Sequence, residues 1–98
     1  MAVVKKLKLN SIEKGLEDIV SLCSRIKISQ EELSYIEQKV NENRKDFSGG
    51  TLSESKYMDK EKDLKRESLR LSKNIDSDIK KSIKKIDSVK QTLNKIEI

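Results

Sequence analysis

The chain has 98 residues, 34% of them hydrophobic, 40% charged and only 3% aromatic, with a formal net charge of +5. This is one domain at most, too poor in apolar residues for a thick globular core. No run approaches the roughly 18 apolar residues of a membrane span, and residues 1–9 lack the apolar stretch of an ordinary signal peptide.

The first nine residues, MAVVKKLKL, read as an N-terminal lead carrying three lysines. From residue 10 a helical period sets in. Ile12, Ile19, Ile26, Leu33, Val40 and Phe47 recur every seven residues. Leu9, Leu16, Cys23, Gln30, Glu37 and Arg44 interleave with them, turning polar after Cys23. Steps of three and four describe a helical stripe, which Val20, Leu22 and Ile36 widen sideways. Asn10 and Glu13 have the form of a capping box at the helix start. Ser29 and Glu32 have the same form inside the helix, and place a candidate kink or short break near 27–29. Helix 1 is thus expected over 10–47. Cys23 is the only cysteine, which excludes an intrachain disulfide; its neighbours Leu22 and Ile26 make it a small buried hydrophobe.

At the centre stands KDFSGGTLSE, with two of the three glycines and the only phenylalanine. Phe47 closes the first stripe. Gly49 or Gly50 can take the left-handed conformation that ends a helix, and Thr51 with Glu54 can cap the next one. A turn at 48–51 so short favours an antiparallel hairpin.

Helix 2 is expected over 52–97, roughly 70 Å long at 1.5 Å per residue. Its apolar candidates are Leu64, Leu71, Ile75, Ile79, Ile83, Ile86, Leu93 and Ile96. Leu64, Ile75 and Ile86 are spaced by eleven residues, a period that implies a locally straight helix. Residues 60–98 hold twelve basic and seven acidic groups, residues 10–59 seven basic and ten acidic. Folding at 49/50 sets residue i near residue 99 − i. Glu13, Glu17 and Asp18 then face Lys80, Lys81, Lys84 and Lys85; Glu31, Glu32 and Glu37 face Lys62, Lys65, Arg66 and Arg70; Arg44 and Lys45 face Glu54. Such exposed pairs select register rather than supply stability, and an antiparallel dimer would form the same ones.

The fold class is therefore all-α: residues 1–98 form a single antiparallel two-helix hairpin with a central Phe-Ser-Gly-Gly turn. A lone hairpin buries one stripe per helix and is marginal by itself. Val3, Val4, Ile28, Tyr35, Leu69 and Ile98 fall off the main stripes, so the hairpin is expected to complete a helical bundle with a helical partner or a second copy.

The chemistry-bearing patterns are absent. There is no histidine, cysteine pair, zinc spacing or phosphate-binding glycine loop, and no base, nucleophile and orienting group can be assembled. No enzyme, cofactor or metal is expected. KKSIKKIDSVKQTLNK is basic and amphipathic, and Lys80, Lys81, Lys84 and Lys85 could touch phosphates. With two tyrosines, one phenylalanine and no arginine cluster, it reads instead as a solvated or ion-paired lysine face.

Two long helices around an aromatic-x-Gly turn resemble the small WXG (Esx-type) proteins of type VII secretion. Phe47-Ser48-Gly49 stands where that family has Trp-x-Gly; VVKKLKLNSIEKGLEDI is similar to its short extended lead and helix start, and IKKSIKKIDSVKQTLNKI to its closing helix. The chain departs from the family in lacking the tryptophan. It also lacks the Tyr-x-x-x-Asp/Glu export signal after the second helix, since Tyr57 and Glu61 have that spacing only at its start.

The resemblance implies a subunit without its own signal. It would pair with the helical N-terminal domain of an LXG toxin, or with another small hairpin protein, and accompany it to export as a targeting chaperone. The protein would then be cytoplasmic, or exported with its partner without a cleaved signal peptide. Candidate interface residues are Ile19, Ile26, Leu33, Val40, Phe47, Leu64, Leu71, Ile75, Ile79, Ile86 and Leu93. The same residues read equally as internal hairpin core. The other readings are a coiled-coil scaffold or assembly subunit, ESCRT-like or cytoskeletal, and a basic nucleic-acid-binding helix pair.

Overall fold

The computed structural model describes the backbone of residues 2–96 and the side chains of residues 8–96. The fold is all-α. Helix α1 spans Ala2–Ser48 and helix α2 spans Glu54–Ile96. The chain divides into two compact units. A terminal unit comprises Met1–Ile26 with Asp76–Ile98, and a turn unit comprises Lys27–Ile75. Each packs an α1 segment antiparallel against an α2 segment.

Residues 2–9 are helical and continue directly into α1, so the expected lead forms no separate element and Asn10 no cap. This stretch has neither Pro nor Gly, and its Lys, Leu, Ala and Val residues are compatible with a helix. Residues 27–29 are helical without interruption. The Ser29–Glu32 pattern does not cap anything there, because intrahelical bonds leave no orphan donors for a cap to satisfy. The expected extension of α2 to residue 97, and the side chains of Val3, Val4 and Ile98, lie outside the described residues.

The link runs over 49–53 rather than 48–51, since Phe47 and Ser48 belong to the last turn of α1. Gly50 has φ 79°. Its N–H donates to the Phe47 carbonyl at 3.1 Å and the Thr51 N–H to the Asp46 carbonyl at 3.0 Å, the paired bonds of a Schellman stop. Thr51 does not cap α2. Its hydroxyl donates to the Asp46 carbonyl at 2.9 Å and so completes the end of α1. The N-cap of α2 is Ser53: its Oγ accepts from the Lys56 N–H at 3.3 Å, and its carbonyl accepts the first helical bond, from Tyr57 at 2.9 Å.

In the turn unit the α1 side of the seam is Ser29, Leu33, Ile36, Val40 and Asn43. Facing it are Tyr57, Glu61, Leu64, Ser68, Leu71 and Ile75, all buried or half-buried. In the terminal unit Ile12, Gly15, Ile19, Leu22 and Ile26 face Asp78, Ser82, Lys85, Val89, Thr92 and Ile96. Of these Ile12, Leu22, Asp78 and Ser82 are buried. Both seams step by three and four residues in strict alternation, a period of 3.5. The eleven-residue series in α2 is not the packing period. Leu64 and Ile75 lie in the seam, whereas Ile86 is exposed beside it.

The register differs from 99 − i. In the terminal unit Asp18 pairs with Lys85 at 3.2 Å, Arg25 with Asp78 at 3.1 Å, and Lys8 Nζ donates to the Lys95 carbonyl at 3.5 Å. Partner numbers there total 103. In the turn unit Arg44 pairs with Glu61 at 3.3 Å, not with Glu54. The four-residue offset follows from the link, whose midpoint lies near residue 51, not between Gly49 and Gly50.

Candidate helix-docking face

The seam of the terminal unit is chemically lopsided. Its α1 side is Ile12, Ile19, Leu22 and Ile26 around Gly15. Its α2 side offers Asp78, Ser82, Lys85 and Thr92, with only Val89 and Ile96 apolar. The Asp78 side chain is 3% exposed. Burying a carboxylate is costly unless it is paired, and Arg25 supplies the opposite charge from the rim. The pair is a charge contact rather than an aligned hydrogen bond, because Asp78 Oδ1 has no hydrogen-bond partner. Ser82 satisfies its own hydroxyl by donating to the Asp78 backbone carbonyl at 2.8 Å. Lys85 reaches Asp18 from its seam position, and its side chain remains exposed. Val89 meets Gly15, which has no side chain to obstruct it.

With polar groups in the seam, the apolar residues of α2 lie elsewhere. Ile79, Ile86 and Leu93 recur every seven residues, each one position after a seam residue, and Ile83 sits among them. All four are exposed. Leu9, Leu16 and Cys23 form the matching series on α1, with Val20 among them, and they too are exposed. Cys23 is therefore a surface thiol, not the buried hydrophobe its neighbours suggested. Leu22 takes the seam position instead.

Both series lie on one side of the unit. The opposite side is a groove of about 510 Å³ lined by Asp18, Ser21, Arg25, Lys81, Lys84, Lys85 and Ser88, among others. All of these except Lys85, which is itself a seam residue, immediately precede a seam position and so lie on the far rim. In an antiparallel helix pair, positions immediately following the seam on one helix adjoin the corresponding positions on the other. Leu9, Leu16, Cys23 and Val20 therefore share a face with Ile79, Ile86, Leu93 and Ile83. The terminal unit thus has a polar, lysine-rich face and an apolar face across one thin layer of helices. Eight uncovered apolar positions on one side are more than the scattered singletons normal for a surface.

The positions that follow the seam in the turn unit are mostly polar, with Met58 and Leu69 exposed among them. Glu37, Asn41, Arg44 and Lys65 border the unit's groove, and Arg44 is tied to Glu61. Around the turn, Phe47 stacks on Tyr57 with ring centroids 4.4 Å apart and 19° between planes. Asn43, buried in the seam, donates to the Tyr57 carbonyl at 3.3 Å. These contacts fasten the two helix ends, while Ile28, Tyr35, Met58 and Leu69 are exposed elsewhere on the turn unit.

The eleven interface residues expected from the sequence divide accordingly. Ile19, Ile26, Leu33, Val40, Leu64, Leu71 and Ile75 lie in the two seams. Phe47 lies in the aromatic stack at the turn. Only Ile79, Ile86 and Leu93 lie on the exposed face. Leu9, Leu16, Val20 and Ile83 belong to that face and were missing from the set. For Leu9 and Leu16 the signal was the second seven-residue series; Val20 and Ile83 lie outside it, each one position after a seam residue.

Among the described residues no group of three or more His, Cys, Asp or Glu side chains could hold a metal ion, and no helix is long and apolar enough to cross a membrane. Comparison with known proteins returns no matching family model, no matching curated protein and no matching solved structure.

Proposed function

We propose that this protein is a non-enzymatic helical binding partner, which covers the apolar face of its terminal unit with helices of another protein and thereby stabilises and presents it. The observation that carries the reading is that face: Leu9, Leu16, Val20, Ile79, Ile83, Ile86 and Leu93 exposed together on one side of the terminal unit. An amphipathic helix laid on such a face buries its own stripe at the same time. The finer reading is a type VII secretion targeting factor that co-folds with an LXG-type toxin or a related small hairpin protein and leaves the cell with it. That reading rests on the resemblance of layout around Phe47-Ser48-Gly49.

The test is affinity capture from the native host with mass spectrometry, run in parallel on the wild type and on Leu16→Asp/Ile86→Asp. A stoichiometric large protein with a long helical N-terminal region, lost from the variant, supports the secretion reading. Recovery of the chain alone, as a dimer that no helical protein displaces, moves the assignment to a self-assembling scaffold.

A further inference from the structure

We infer that the terminal unit has a second packing, in which its α1 and α2 segments each turn about their own axes and bury Leu9, Leu16, Cys23, Ile79, Ile86 and Leu93 between them. This goes beyond the proposed function, since it says where the apolar face goes when no partner covers it.

The argument is one of period. Ile12, Ile19 and Ile26 on α1, and Ser82, Val89 and Ile96 on α2, recur every seven residues and fit either of two seams. The observed seam completes them with Gly15 and Leu22, and with Asp78, Lys85 and Thr92. The contact of Gly15 with Val89 sets its levels. By the same spacing Ile12 is level with Thr92, Ile19 with Lys85, Leu22 with Ser82 and Ile26 with Asp78. Four of these five layers set an apolar residue against a polar one. The alternative seam takes the next position on each helix. Leu9 is then level with Ile96, Ile12 with Leu93, Leu16 with Val89, Ile19 with Ile86, Cys23 with Ser82 and Ile26 with Ile79. Five of these six layers are apolar on both sides.

Neighbouring positions lie about 100° apart around a helix, so the seam centre moves by about 50°. In an antiparallel pair whose outer series share one face, the helices turn in opposite senses, as meshed gears do. Leu16, Ile79 and Ile86, now 50%, 42% and 42% exposed, pass inside, and Asp78 passes out to water. The close approach at Gly15 and the contacts of Asp78 with Arg25 and of Lys85 with Asp18 hold the observed packing. The second is therefore the minor one, at about 1–10%. Packed interfaces of this kind exchange between discrete arrangements instead of deforming continuously. The turn unit has no such alternative: its equivalent positions are Gln30, Glu37, Arg44, Met58, Lys65 and Ser72.

Disulfide trapping reads the two packings separately, because the bond needs Cβ atoms about 3.5–4.5 Å apart. Ser82→Cys in the wild-type background offers a thiol to Cys23 and reports the turned packing. Leu22→Cys/Cys23→Ser/Ser82→Cys reports the observed one. Lys81→Cys, on the far rim from Cys23, is the control that meets it in neither. With oxidised glutathione at low protein concentration, closure is followed as the intramolecular species of the 11.3 kDa chain on a non-reducing gel. The Ser82→Cys protein should close at about 1–10% of the rate of the Leu22→Cys pair, and at least about tenfold faster than the control. Adding Ile86→Lys sets an unpaired ammonium against Ile19 in the turned packing only. It should slow the first closure at least about tenfold and leave the second unchanged.

Closure of Ser82→Cys no faster than that of Lys81→Cys overturns the inference, and so does closure indifferent to Ile86→Lys. The two proposals fail separately. Trapping as expected in a protein that captures no helical partner keeps the rotation and removes the binding role; capture by a protein whose Cys23 does not close on the Ser82→Cys thiol does the reverse.

Discussion

A Cβ built on Gly15 would stand 2.6 Å from Cγ2 of Val89. No real pair of carbons tolerates that separation, so α1 and α2 approach closely here only because residue 15 has no side chain. Val89 is β-branched and stiff about χ1, so it cannot simply swing aside.

Gly15→Ala should therefore destabilise the protein, although alanine is the better helix former by about 0.8–1.0 kcal/mol. Overpacking of this kind costs about 1–3 kcal/mol. Urea unfolding should show the loss, and Val89→Ala in the same chain should recover most of it. A stabilised Gly15→Ala protein would mean that propensity outweighs the clash.

The Arg25–Asp78 pair should behave asymmetrically. Arg25→Ala leaves a buried carboxylate without its counter-charge. The guanidinium it removes is largely solvent-exposed, so the cost should fall near ~1–3 kcal/mol, below that of a fully buried pair. Arg25→Ala combined with Asp78→Leu should be at least as stable as wild type, since an aliphatic side chain suits the seam. Thermal melting of the two variants checks the order.

At the link, capping belongs to Ser53. Ser53→Ala should cost about 1 kcal/mol through loss of the N-cap of α2. Gly50→Ala should cost about 1–2 kcal/mol, because φ 79° is strained for any residue with a Cβ, even though the space around it is open. Thr51→Ser, which keeps the hydroxyl on Asp46, should be milder than Thr51→Val. Chemical denaturation ranks all four.

Phe47→Ala removes the stack on Tyr57 and should cost about 0.5–1.5 kcal/mol from that contact beyond the area lost. Its effect should appear in melting and leave capture of a helical protein by the apolar face unchanged, because Phe47 is outside the terminal unit. Weakened association without loss of stability would place the interface at the turn instead.

Acid should weaken one contact in α2. Arg70 donates to both Glu67 oxygens, from Nε at 3.2 Å each, and this hydrogen bonding, with a lesser contribution from its charge, holds the Glu67 carboxyl below its ordinary range against the opposing effect of burial. The folded-state value is depressed, so the stabilisation is fully present above the ordinary carboxylate pKa. It is lost as pH falls through the lower folded value. The pair lies open to solvent, so the effect is small and should fade in high salt. Glu67→Gln should reduce the fall in melting temperature below about pH 4.

The amino-acid sequence by itself determined two long helices, a break at Gly49–Gly50 and a seven-residue apolar recurrence, because period and glycine chemistry are local properties. It did not determine which recurrence is the core. Adjacent positions are separated by about 100° around a helix, and over residues 9–23 both candidate stripes are apolar on α1. Leu16 and Cys23 read as well as Gly15 and Leu22. Packing decided between them, by admitting Gly15 against Val89, seating Leu22 in the seam and turning Leu16 outward. The same choice on α2 placed Asp78, Ser82 and Lys85 in the seam and Ile79, Ile83 and Ile86 in water. A single-helix pattern carries no record of that arrangement, since Asp78 is acceptable inside only where Arg25 of the other helix reaches it.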